Sequence, residues 1–230
     1  VSYSLGYGLL RQEGTLELSC TEGPRNGREL SVVCRRLAKS GFSHFTHAHF
    51  RCAGDLLSSP VSWEARARMA REPGDPPYLR SGIRKRGKRR GRTVEVSTDG
   101  RDVEVFEVGE ACTAKWCLMD AVTRLPQEQI TPLEFTLVDE VDRPLPGQRL
   151  RFRRQARVET GEGELLLTAY EHTGRGVIPT VFWVDTNGLL LFVMTGIEIH
   201  VLSADGSGEA AYEESCRMQP PAPSAEGRRP

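Results

Sequence analysis

Polar and apolar residues alternate along most of the chain, the mark of β-strands with one face against a core. The alternation predicts an opening run of strands at 2–11, 15–20, 29–37, 42–52 and 61–69. Two further strands, 92–97 and 101–108, flank Asp99-Gly100, a pair suited to a type I′ hairpin turn. That register sets Val96 opposite Val103 and Val94 opposite Val105, giving one continuous apolar face. The last group covers 133–139, 148–159, 164–173, 179–185, 189–195 and 197–202.

The period changes once. Ala114, Cys117, Leu118, Ala121, Val122 and Leu125 recur at helical spacing on one face. A single helix is therefore expected at about 113–125, capped by Thr113 and stopped by Pro126. The strongest hairpin is VFWVDTNGLLLFVM, with Asn187-Gly188 as a type I′ turn, Val184 opposite Leu191 and Trp183 opposite Phe192. Both faces of this hairpin are apolar, so one needs a cover besides the core. The helix bearing Trp116 and Leu118 would supply it, or a ligand resting on Trp183, Leu191 and Phe192 would.

The fold class that follows is mostly β: an antiparallel meander of about a dozen strands, an open barrel or two-sheet architecture, around one central helix. Residues 1–79 form an N-terminal β-region and 80–92 a basic loop or linker. Residues 93–208 form a C-terminal β-region with the helix, and the Pro-rich 209–230 a flexible tail. A long meander, one mid-chain helix and a late W-x-D-x-x-G hairpin (Trp183, Asp185, Gly188) come in a recognisable order. Over about residues 80–205 that order resembles bacterial envelope proteins built from an open, lipocalin-like or half-barrel sheet, including secreted families of no assigned function. The resemblance implies a sheet wrapped around an apolar cavity and a secreted or periplasmic location, with the cytoplasm as the alternative. It brings no catalytic residues. No charged segment followed by an apolar one marks a leader, so the compartment is not read from a signal peptide.

Composition narrows the classes. Among 230 residues, 31 Lys+Arg balance 31 Asp+Glu, which rules out a chain devoted wholly to polyanion binding. An apolar content of 38% is too high for a disordered chain. No run approaches the roughly 18 apolar residues of a membrane helix, so no transmembrane segment is expected.

Three features carry candidate chemistry. First, His47 and His49 project to one side of a strand and would hold zinc if a third ligand, such as His172, His200, Glu171 or Glu198, joined them. Otherwise no cofactor is expected. Second, the run RSGIRKRGKRRGR holds eight Lys/Arg in thirteen residues. Arg84, Lys85, Arg86, Lys88, Arg89 and Arg90 would bind polyanions weakly and in a salt-sensitive way, or simply form a solvated linker. Third, six cysteines contain no C-x-x-C pair. Cys20 and Cys34 flank a turn-like segment with its midpoint at Gly27, a geometry that would allow a disulfide, against the alternative of reduced thiols.

No nucleophile elbow, phosphate-binding loop or H-E-x-x-H motif is present. The leading expectation is a non-catalytic secreted or envelope β-protein that binds an apolar or amphipathic ligand, or a protein partner. The alternative is a metal- or His-dependent enzyme acting on an acidic polymer such as a polysaccharide.

Overall fold

Antiparallel pairing of strands adjacent in sequence builds almost the entire structure. The computed structural model describes residues 2–6, 13–37, 43–70, 81–101, 103–128, 131–139, 143–160, 163–196 and 198–203. The expected Pro-rich tail, Cys216 and the first expected strand beyond residue 6 lie outside the described residues. Strands β1 (Ser2–Gly6), β2 (Glu13–Glu22), β3 (Arg28–Leu37), β4 (Ser43–Cys52) and β5 (Pro60–Ala70) come first. Then follow β6 (Ser81–Arg90), β7 (Thr93–Thr98), β8 (Val103–Glu107) and the short β9 (Cys112–Ala114). Helix α1 (Lys115–Val122) continues directly from β9. Strands β10 (Leu133–Asp139), β11 (Arg143–Thr160), β12 (Gly163–Thr173), β13 (Thr180–Asp185), β14 (Leu190–Met194) and β15 (Ile199–Leu202) complete the chain.

One fifteen-stranded sheet holds all of them, in the order β8-β7-β6-β5-β4-β3-β2-β1-β15-β14-β13-β12-β11-β10-β9. Among the described residues only β9 and β10 pair in parallel. Strand β1 therefore sits mid-sheet and joins the two strand-rich regions through β15. The sheet curls as a half-barrel around α1, which touches both halves. The thiol of Cys117 lies 3.7 Å from that of Cys52 on β4. On the other side, the Tyr170 hydroxyl of β12 donates to the Pro126 carbonyl just after the helix (2.8 Å). An eight-residue helix is marginal alone. Here Cys117, Leu118, Met119, Ala121 and Val122 are all buried, so tertiary packing holds it.

The inner face carries the core in rows that cross the strands. One row runs Cys20, Leu30, Phe50, Trp63, Gly87 and Val96. The next runs Leu18, Val32, Ala48, Ala65 and Lys85. A polar clamp seats the helix. Asp120, buried, accepts from Arg28 Nε (2.9 Å) and Nη2 (2.7 Å) and from the Ser58 hydroxyl (2.5 Å). Burial pushes the Asp120 carboxyl up, but Arg28 and Ser58 outweigh it and hold the group below its ordinary value.

Several expectations are corrected. The basic segment is not a loop or linker: residues 81–90 form strand β6, paired on both sides with β5 and β7. The helix is shorter than 113–125 because 112–114 pair with β10. Thr113 does not cap it; its hydroxyl donates instead to the Leu57 carbonyl (2.7 Å). Cys20 and Cys34 share the β2–β3 hairpin but are out of register, with Cys20 opposite Leu30 and Cys34 opposite Leu16. The turn at Pro24–Asn26 closes between Glu22 and Arg28, two residues before the expected midpoint. Four residues of offset separate the two cysteines by ~13 Å, too far for a disulfide. Both are free thiols.

The Asp99-Gly100 turn has the positive φ angles (52° and 71°) that type I′ requires. Beyond it the register gains one residue on the second strand, so Val94 faces Phe106 and Val96 faces Glu104. A one-residue slip reverses faces. Val103 and Val105 accordingly turn outward, 59% and 62% exposed. In the last hairpin Trp183 does lie opposite Phe192, whereas Val184 faces Leu190. Gly188 alone has positive φ there, and the Asp185 and Leu189 backbones pair around a three-residue loop. This is the type I turn with a following glycine bulge, rather than type I′. The Asp185 carboxylate holds it by accepting from the Asn187 and Leu189 amides (2.9 and 2.7 Å).

Candidate functional site: a cavity between helix and sheet

Side-chain size along the inner rows opens a space beside the helix. Phe50 and Trp63 fill the row nearest its middle, but the next rows carry Ala48 and Ala65, then Thr46 and Ala67. Small residues on two adjacent strands leave a cavity of about 370 Å³. Ile83, Val138 and the half-buried Trp116, at the start of α1, complete its apolar wall. Arg36, His44, Lys85 and Lys115 supply its polar lining.

A buried carboxylate holds two of these side chains, Arg36 and Lys115. Glu198 on the β15 side binds Arg36 Nη2 (2.9 Å), Lys115 Nζ (3.8 Å) and His200 Nε2 (3.0 Å). Burial pushes the Glu198 carboxyl up, but His200, Lys115 and Arg36 more than offset it and hold it at about 2. His200 is 1% exposed, and burial, opposed by Glu198, keeps its imidazole below its ordinary value. Glu198 is thus ionised and His200 neutral near pH 7. Burial also raises the Cys34 thiol beside them. Arg36, Lys85 and Lys115 place three cationic side chains on the cavity lining. A second, more polar cleft of about 300 Å³ lies at the other end of the helix, between Arg124, Tyr170 and Asn187.

The expected site residues fall in different places. Strand alternation splits the basic run. Lys85 turns inward and lines the cavity. Arg89 also turns from the outer face and donates to the Gly91 and Glu110 carbonyls, tying down the loop after β8. Arg84, Arg86, Lys88 and Arg90 point to the outer face, where Arg84 and Arg86 both bind Glu64 (2.7 and 3.1 Å). His47 and His49 share that outer face, and His49 approaches Glu29 (3.9 Å). Among the described residues no group of three His, Cys, Asp or Glu forms a metal site. His172 and His200 sit in the interior instead.

Trp183 and Phe192 stack at 5.5 Å with 23° between their rings, and the Arg154 guanidinium lies over Trp183. Leu191 turns to the opposite face, and all three are buried. They belong to the packed core rather than to the cavity wall. Arg36, Lys115, Glu198 and His200 escaped the sequence reading as a set, since 162 residues separate Arg36 from Glu198. The Glu198-x-His200 alternation at the start of the last strand was the local sign.

Among the described residues no helix is long and apolar enough to cross a membrane. No family model matches the chain, and no curated protein matches it. Among solved structures it is similar to a β-barrel-like protein of a domain of unknown function, DUF1849, from Brucella abortus. The TM-score is 0.57 at 10% identity, over 88% of this chain and 94% of that one. The likeness shows a barrel-like β-fold.

Proposed function

We propose that the protein is a non-catalytic binding protein that holds one small amphipathic molecule, with an acidic head, in the cavity beside α1. A place in the cell envelope or outside the cell is part of this proposal. The observation that carries it is the cavity itself, whose lining combines alanines and Trp116 with Arg36, Lys85 and Lys115. Sites of this kind combine apolar walls with a few placed polar groups, and 370 Å³ is near the lower end of their size range. That favours a single chain over a two-chain lipid. An acidic head would lie among Arg36, Lys85 and Lys115, and the chain would lie along Ala65 and Ala67.

The test is titration with a dansylated single-chain carboxylic acid. Saturable binding to the native protein, weakened at least about tenfold by Ala67→Trp at unchanged melting temperature, supports the proposal. Equal affinity of the filled variant would place the probe elsewhere and refute it.

A further inference from the structure

We propose that the outer face of β3–β6 is a docking surface for an anionic lipid bilayer. The inference goes beyond the cavity and does not depend on its being occupied.

The register assembles the surface from four strands. Arg35, Phe45 and Arg68 form one row across the sheet. Val33, His47, Arg66 and Arg84 form the next. Then come His49, Glu64 and Arg86, followed by Glu29, Arg51 and Lys88. Arg90 continues the same face along β6 by strand alternation. Outward positions on β3–β6 thus carry eight cations against the two carboxylates Glu29 and Glu64. Glu64 fixes three of the guanidinium groups, those of Arg66, Arg84 and Arg86, by ion pairs of 2.7–3.1 Å. The net charge of the whole chain is zero, so this face concentrates charge that the chain compensates elsewhere.

Two observations choose a bilayer over a nucleic acid. Exposed aliphatic side chains stand among the cations: Val33 within a row, and Val103 and Val105 on edge strand β8, in register with Ser97 and Glu95 beside Arg86 and Lys88. Cations mixed with apolar side chains suit a surface that is anionic at the headgroups and apolar just beneath. Bases, by contrast, need aromatic faces to stack on. The aromatic ring in these rows is Phe45, and the guanidinium groups of Arg35 and Arg68 already lie 5.5 and 4.8 Å from its centre.

Co-sedimentation with phosphatidylcholine vesicles, with and without phosphatidylglycerol, tests the proposal. Binding should need phosphatidylglycerol and fall steeply as salt rises. Combined Arg51→Ser, Arg68→Ser, Lys88→Ser and Arg90→Ser should weaken it at least about tenfold. These four spare Glu64, and an unchanged melting temperature and unchanged cavity-probe affinity show that fold and cavity survive. Val103→Ser with Val105→Ser should weaken vesicle binding while leaving retention on heparin intact. Wild type that ignores the anionic vesicles overturns the proposal. So does vesicle binding indifferent to the valine pair together with tighter binding to a single-stranded oligonucleotide, which would make the face a general polyanion surface.

Discussion

The indole of Trp63 occupies the space that a β-carbon on Gly87 would need, against the Cε2 and Cζ2 edge of the ring. Trp63 and Gly87 are direct partners across β5 and β6. The glycine inside RKRGKRR is therefore what lets the large core side chain of one strand lie across the most charged strand of the sheet. Gly87→Ala should destabilise the protein by about 1–3 kcal/mol, as forced overpacking does. Lys88→Ala, one residue away and facing outward, should change stability by no more than about 0.5 kcal/mol. Chemical denaturation checks both. Equal, small effects would mean that β6 does not lie against Trp63.

Removing Asp120 should be costly out of proportion to its size. It holds Arg28 of β3, Ser58 of the β4–β5 loop and, at 3.5 Å, Arg124 on its own side of the helix. Asp120→Ala leaves these groups without their acceptor, which typically costs about 3–5 kcal/mol. The double variant Arg28→Ala with Asp120→Ala should lose clearly less than the sum of the singles, because the two share one interaction. Additive losses in urea unfolding would contradict a clamp.

Acid should destabilise the fold in two stages. Burial lowers the His172 imidazole to about 4 from its ordinary 6.5, while its Nε2 donates to Gln148 Oε1 (3.0 Å). Between pH 6.5 and 4 the unfolded chain takes up a proton that the native state does not. Stability therefore falls as pH drops through that window, by on the order of 3 kcal/mol. Glu198 behaves as a depressed carboxylate: its contribution is complete above 4.5 and is lost as pH falls towards about 2. Denaturation followed against pH should show the first stage shrink in His172→Gln to the part that His200, also held below its ordinary value, contributes, while the second remains. A first stage unchanged by that variant would refute the assignment.

The buried thiols should be inert in the native protein. Burial raises the Cys117 thiol well above its ordinary value, with Cys52 beside it adding to the effect. Burial, with Asp120, pushes half-buried Cys20 up to about 11. Since the thiolate is the reactive form and burial also raises the Cys112 thiol, iodoacetamide near pH 8 should label Cys112 and Cys117 only after unfolding. Rapid native labelling of Cys117, read by mass spectrometry, would show that the helix does not seal it.

Much of the fold was legible because alternation is a local signal. The strand segments around Leu30, Phe50, Trp63, Val94 and Trp183 were all readable from the chain. Strand β6 was not, since its inward positions are Ile83, Lys85, Gly87 and Arg89; its neighbour Trp63 supplies the core that its own residues lack. Strand β9 was hidden because Ala114 fits the helical spacing that starts immediately after it. Turn closure explains the register errors. One residue more after Asp99-Gly100 reversed Val103 and Val105, and a hairpin axis two residues early parted Cys20 from Cys34. The cavity needed the curl of the sheet to bring Trp116 and Lys115 against Ala65 and Ala67, and no local pattern encodes that closure.

An amphipathic ligand held in the cavity would lie against Trp116, between α1 and the alanines of β4 and β5. Quenching of tryptophan fluorescence by a single-chain acid brominated along its chain measures this contact directly. Trp63 and Trp183 are buried in the packed core, whereas Trp116 lines the cavity. Saturable quenching is expected, lost in Trp116→Phe while binding of a dansylated acid persists. Quenching that survives in Trp116→Phe, or bound probe that quenches nothing, would contradict it.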